Sequence, residues 1–101
     1  MDQGVHSFPL GRLTISDLAQ AKVQAEDILD AIARHSRRDW GEVCEEDVWQ
    51  NKRVLMRHRG MLLSAYRNPQ RVEFYVCTYL NSISCETTVL LPKEYWSFTE
   101  E

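Results

Sequence analysis

The stretch Met61-Leu62-Leu63-Ser64-Ala65-Tyr66, then Asn68-Pro69-Gln70, then Arg71-Val72-Glu73-Phe74-Tyr75-Val76-Cys77-Thr78-Tyr79-Leu80, decides the fold class. After Gly60 the apolar period falls from the helical three or four to two. Val72, Phe74, Val76 and Thr78 alternate with Glu73, Tyr75, Cys77 and Tyr79, which sends the two sets to opposite faces of a strand. β-Branched and aromatic residues suit that pleated surface, and Asn68-Pro69 supplies turn chemistry. Two such runs joined by so short a loop read as an antiparallel hairpin, with strands at about 61–67 and 71–80. Downstream, Asn81-Ser82-Ile83-Ser84 reads as a connection and residues 86–91 as a third strand, halted by Pro92.

Upstream of the hairpin the pattern is helical. Leu18, Ala21, Ala25, Ile28, Leu29 and Ile32 recur at spacings of three and four, which predicts one helix over about 16–35. Thr14 or Ser16 is its expected N-cap, with Thr14-x-x-Asp17 as a capping box. A second helix is expected over about 45–59: acids open it, Arg57, His58 and Arg59 close it, and Gly60 is placed to cap it in a left-handed conformation. Its apolar line of Cys44, Val48, Asn51 and Leu55 is narrow, so it is expected to be half buried. The expected architecture is α+β: two helices packed on a three-stranded antiparallel β-meander. Phe8-Pro9-Leu10-Gly11-Arg12-Leu13 is compatible with a further short edge strand, and residues 97–101 read as a loose tail.

A chain of 101 residues, 44% apolar and 27% charged, fits one domain spanning residues 1–101 and excludes disordered, collagen-like and multidomain classes. No stretch has membrane-spanning length and the N-terminus lacks signal-peptide character, so a cytoplasmic protein without membrane association is expected. Cys44, Cys77 and Cys85 show no CxxC spacing, and with His6, His35 and His58 they form no paired zinc-ligand motif. Four scattered glycines build no phosphate-binding turn, so no cofactor is expected. His35 and Asp39, four apart, are the one pair that hints at hydrolysis, with Ser64 as a nucleophile that lacks a G-x-S-x-G turn. The plainer reading is a helix-end histidine, and no catalytic or metal residue is assigned.

Charge and aromatic content point to binding instead. Although the net charge is -3, residues 34–71 carry nine Lys/Arg against five acids, a net +4 that leaves -7 on the two ends. Trp49, Tyr75 and Tyr79 fall near Arg53, Arg57 and Arg59, and exposed aromatic rings beside arginines are what protein interfaces favour. Together with Arg37 and Arg38 these are the candidate binding residues. The same patch suits phosphates, so nucleic acid is the rival partner. A homodimer through an edge strand or the second helix is a further possibility.

Phe8-Pro9-Leu10-Gly11, Arg34-His35 with Asp39-Trp40-Gly41, Asp47, Asn51, Leu63-Ser64-Ala65-Tyr66-Arg67 and Thr87-Thr88-Val89-Leu90-Leu91-Pro92 with Glu94-Tyr95 follow one another along nearly the whole chain. In that order they resemble a family of small uncharacterised bacterial proteins encoded on plasmids and integrative elements. The chain departs from that pattern between its second and third strands, where Phe74-Tyr75-Val76-Cys77-Thr78-Tyr79-Leu80-Asn81-Ser82-Ile83-Ser84 lacks the family's acid and arginine. The resemblance implies a mobile-element accessory protein: in the leading reading a non-enzymatic inhibitor of a host defence complex, either a CRISPR effector or a restriction enzyme. The alternatives are a small nucleic-acid-binding regulator and, more weakly, a hydrolase using His35 and Asp39.

Overall fold

The computed structural model describes the backbone over residues 8–99 and side chains over residues 8–95. His6 and the last two tail residues lie outside the described residues. In chain order the elements are β1 (Arg12–Ile15), α1 (Asp17–Lys22), α2 (Ala25–Ser36), α3 (Glu45–Arg57), β2 (Gly60–Arg67), β3 (Glu73–Leu80), β4 (Cys85–Leu90) and α4 (Pro92–Thr99). The class is α+β, and the meander is present: β2 pairs antiparallel with β3 from Gly60↔Leu80 to Arg67↔Glu73, and β3 pairs antiparallel with β4.

Three features correct the sequence reading. First, the sheet has four strands in the order β1-β4-β3-β2, and β1 runs parallel to β4 from Arg12↔Glu86 to Ile15↔Val89. The sheet is therefore mixed. A strand of four residues is too short to show a period of its own, and its parallel partner lies at the far end of the chain.

Second, the single helix expected over 16–35 is two. Val23 (φ −127°, ψ 132°) and Gln24 (φ −68°, ψ 149°) are extended and separate α1 from α2. On one straight helix Ala19 and Ile28, nine residues apart, would point about 180° away from each other. The break resets the phase, so Ala19, Val23, Ile28, Ala31 and Ile32 all enter one core with Tyr66, Phe74, Val76 and Val89. The expected stripe is thereby turned outward at Leu18, Ala21, Ala25 and Leu29, and Leu29 is 63% exposed. Ser16, not Thr14, caps α1: its Oγ accepts from Ala19 N–H at 3.0 Å.

Third, the chain beyond β4 is helical. Pro92 opens α4, where a residue without an N–H costs nothing, and α4 continues through Thr99 where a loose tail was expected. Glu94 Oε1 accepts from Leu91 N–H (2.8 Å) and from Ser16 Oγ–H (2.8 Å), which ties the starts of α4 and α1 together.

α3 ends at Arg57. Its left-handed cap is His58 (φ 60°), while Gly60 (φ 120°) is the first residue of β2 and sits so close to the helix that a Cβ there would lie 2.9 Å from Val54 Cγ2. Val54 forms a second, smaller core with Phe8, Leu62 and Leu80. α1 and α2 cover the sheet face carrying Tyr66, Phe74, Val76 and Val89. α4 meets the opposite face, where Tyr95 packs edge-on against Tyr75 with ring centroids 5.3 Å apart.

The outer edge of β2 is closed by side chain and loop. Asn51 Nδ2 donates to the Leu63 carbonyl (2.9 Å) and Leu63 N–H donates to Asn51 Oδ1 (3.0 Å), so the amide imitates a neighbouring strand. One register step on, Ala65 N–H donates to the Trp40 carbonyl (3.0 Å) and Glu42 N–H donates to the Ala65 carbonyl (2.7 Å). The backbone groups at Leu63 and Ala65 are thus unavailable to another strand. Gly41, between these last partners, has φ 74° and no room for a Cβ, which would fall 2.0 Å from the Ala65 oxygen.

Candidate functional site

Two places gather the residues singled out by the sequence, and they differ in every physical respect. The first lies under α2. His35 is 0% exposed, its Nδ1 lies 2.5 Å from Ser64 Oγ and its Nε2 lies 2.9 Å from Thr78 Oγ1. Thr78 Oγ1 is 2.8 Å from Thr87 Oγ1, which donates to the Leu10 carbonyl at 2.6 Å. That carbonyl only accepts, and it fixes every proton in the row. Thr87 gives its proton to Leu10, so it accepts from Thr78; Thr78 therefore accepts from His35 Nε2–H, and Nδ1 accepts from Ser64. The imidazole is neutral, and burial pulls its pKa down to about 3.

The row is a polar spine crossing β2, β3 and β4 inside the core. Its members are inward positions of their strands, and the sequence signal for them is a hydroxyl residue where the alternation calls for an apolar one. Phe8 and Trp40 seal the imidazole: both rings meet it edge-on, with centroid distances of 5.4 Å and 5.5 Å.

The suspected His35–Asp39 pair does not form. Arg34 takes Asp39 instead, donating from Nε at 2.8 Å and from a terminal nitrogen at 3.2 Å. This hydrogen bond holds the Asp39 carboxyl below its usual range and raises Arg34. The Asp39 carbonyl accepts from Tyr66 O–H at 2.6 Å, and burial pushes that phenol up to about 12. Ser64, by contrast, is brought to His35, but both residues are 0% exposed and no carboxylate orients the ring. A nucleophile and base in that position meet neither water nor substrate. Cys77 is likewise withdrawn: burial lifts its thiol to about 12, so it stays protonated.

The second place is the exposed side of α3. Arg53, Arg57 and Arg59 line a cleft of about 500 Å³ with Tyr79 near the end of β3 and Asn81 just beyond it, and Asp47, Gln50 and Tyr95 are also part of its wall. None of the three arginines is ion-paired to a described residue. Trp49 stands beside the cleft, 62% exposed, with the Arg53 guanidinium 5.5 Å from its ring centroid. Met56, one turn past Arg53, is 72% exposed.

The remaining candidates lie elsewhere. Tyr75 is half-buried against Tyr95, and burial raises its phenol. Arg38 (φ 68°) lines a separate cavity of about 320 Å³ with Phe8, Leu55 and His58, and Arg37 is exposed at the end of α2. Asn81, Gln50 and Asp47 are among the cleft residues that the sequence did not single out as binding residues; nothing in their spacing distinguishes them from ordinary surface.

Among the described residues no three His, Cys, Asp or Glu side chains gather as a metal site, and no helix is long and apolar enough to cross a membrane. No family model, curated protein or solved structure matches the chain.

Proposed function

We propose that this is a mobile-element accessory protein that acts by binding, and that it inhibits a host defence complex of the CRISPR-effector or restriction type without catalysing a reaction. The observation that carries the binding half of this reading is the contrast in exposure. The imidazole and hydroxyls that chemistry would need are sealed in the core, while Arg53 and Arg57, not ion-paired to any described residue, share one helix with an exposed tryptophan and an exposed methionine. Arginine, tryptophan and methionine are the residues enriched where protein surfaces meet. The mobile-element half rests on the resemblance. Support for joining the two comes from Tyr79 and Asn81, which lie in the stretch from Phe74 to Ser84 that departs from the family pattern and which line the arginine cleft.

A phosphate-binding role uses the same arginines, but Glu45, Glu46 and Asp47 occupy the first turn of the same helix and Asp47 lines the same cleft. Mixed charge of this kind suits a protein surface better than a continuous polyphosphate backbone.

The test is biological. Expressed in a host carrying an active CRISPR effector or restriction enzyme, the protein is expected to restore phage plating, and Arg53→Glu/Arg57→Glu is expected to abolish the protection while the domain stays folded. Plating that remains fully restricted across both classes of defence overturns the reading.

A further inference from the structure

We infer that the arginine end of α3 docks an acidic protein segment, a short stretch in which carboxylates flank an apolar side chain. The inference deepens the proposed binding role and rests on it. Arg53 and Arg57 are one helical turn apart, so both guanidinium groups leave the same side of α3, and Arg59 follows directly after the His58 cap. All three reach the cleft beside the phenol of Tyr79, which is 47% exposed. Planar guanidinium groups match carboxylates through paired hydrogen bonds, and unpaired ones already desolvated on one side by a cleft wall hold them most strongly.

The apolar part of the occupant follows from the neighbours. Trp49 and Met56 flank Arg53 along the helix and are exposed, so a segment laid across the arginines brings an aliphatic side chain against them. Charge decides against nucleic acid. α3 has 13 residues and is therefore about 20 Å long; its C-terminal end carries the arginines and its first turn carries Glu45, Glu46 and Asp47. A phosphate backbone following the helix would pass from attraction into repulsion within that length, whereas a short acidic segment needs the arginine end alone.

The experiment uses the purified full chain and a capped EELEE peptide, with KKLKK and a short oligothymidylate as comparators. Arg53 lies over Trp49, so indole emission reports binding, and Trp49→Phe separates that signal from Trp40 and Trp96. EELEE is expected to bind and to weaken as salt rises. Arg53→Gln/Arg57→Gln is expected to lose roughly tenfold in affinity, while the charge-matched Arg12→Gln/Lys22→Gln, on β1 and α1, loses little. Equal loss in the two double variants, tighter binding of oligothymidylate than of EELEE, or absence of EELEE binding at low salt each overturns the inference. A chain that binds EELEE yet gives no protection in the host breaks the functional reading alone; one that protects yet does not bind EELEE breaks the docking inference alone.

Discussion

Under α2, His35 has both ring nitrogens bonded and no surface in solvent; on α3 and just past its cap, Arg53, Arg57 and Arg59 have no ion partner among the described residues, and Trp49 stands mostly in water. Both regions hold residue types associated with function. The difference is that the spine's hydrogen-bonding capacity is spent internally, whereas the guanidinium groups of Arg53 and Arg57 are not ion-paired to any described residue. Residues used inside a core set stability and leave activity to others, and residues left open do the reverse.

The largest expected effect breaks the spine. His35→Ala leaves Ser64 without an acceptor, Thr78 without its donor and a void between Phe8 and Trp40, and is expected to cost about 3–5 kcal/mol of unfolding free energy. Chemical denaturation reads this directly; a loss below about 1 kcal/mol would show that the row is not structural.

Next comes pH. The imidazole titrates near 3 in the fold against 6.5 in the unfolded chain, so between 6.5 and about 3 the unfolded chain takes up the proton and the folded chain does not. This group leaves stability untouched above 6.5 and removes about 1.4 kcal/mol per pH unit from 6.5 down toward 3. Urea midpoints across that window check the slope, and His35→Gln is expected to flatten it.

Asn51→Ala is expected to cost about 2–3 kcal/mol, since it strips the partners from Leu63 N–H and C=O. It also opens the β2 edge, so sedimentation should show association that grows with protein concentration.

Asp39→Asn removes only an exposed ion pair with Arg34 and is expected to cost no more than about 1 kcal/mol. Protection of phage by the unmodified and Asp39→Asn chains should be equal; a large loss would return attention to the hydrolase reading.

The smallest stability effect belongs to Arg53→Gln/Arg57→Gln. Both side chains are exposed and unpaired to described residues, so the midpoint should move within about 0.5 kcal/mol while binding falls.

Much of this organisation was legible in the sequence because it is written in local periods. The alternation from Val72 to Leu80 defines β3 and its faces, Asn68-Pro69 defines the turn, and the acidic start of α3 sits where its first turn lies. The break at Val23-Gln24 was not legible, because both residues fit a helix and only the shared core of Ala19 and Ile28 requires the phase change. β1 was legible only in part, as a short edge strand over 8–13: the strand is Arg12–Ile15, it pairs in parallel with residues 86–89, and nothing local announces that partner. For the sites, the arginines on α3 were visible by type and spacing, whereas Asn81 and Asp47 joined their cleft only through folding.

The sequence by itself determined the α+β class, the antiparallel meander and the spacing of Trp49, Arg53 and Arg57 along α3, because each depends on neighbours within a few positions along the chain. Tertiary structure alone decided which of those residues remain available. Burial turned His35 into a neutral link in a row of hydroxyls, Arg34 claimed Asp39, Asn51 closed the β2 edge, and Arg53 and Arg57 were left without an ion partner among the described residues, beside the exposed Trp49. Availability depends on distances between residues far apart in sequence and on the water excluded between them, and neither is a property of any local pattern.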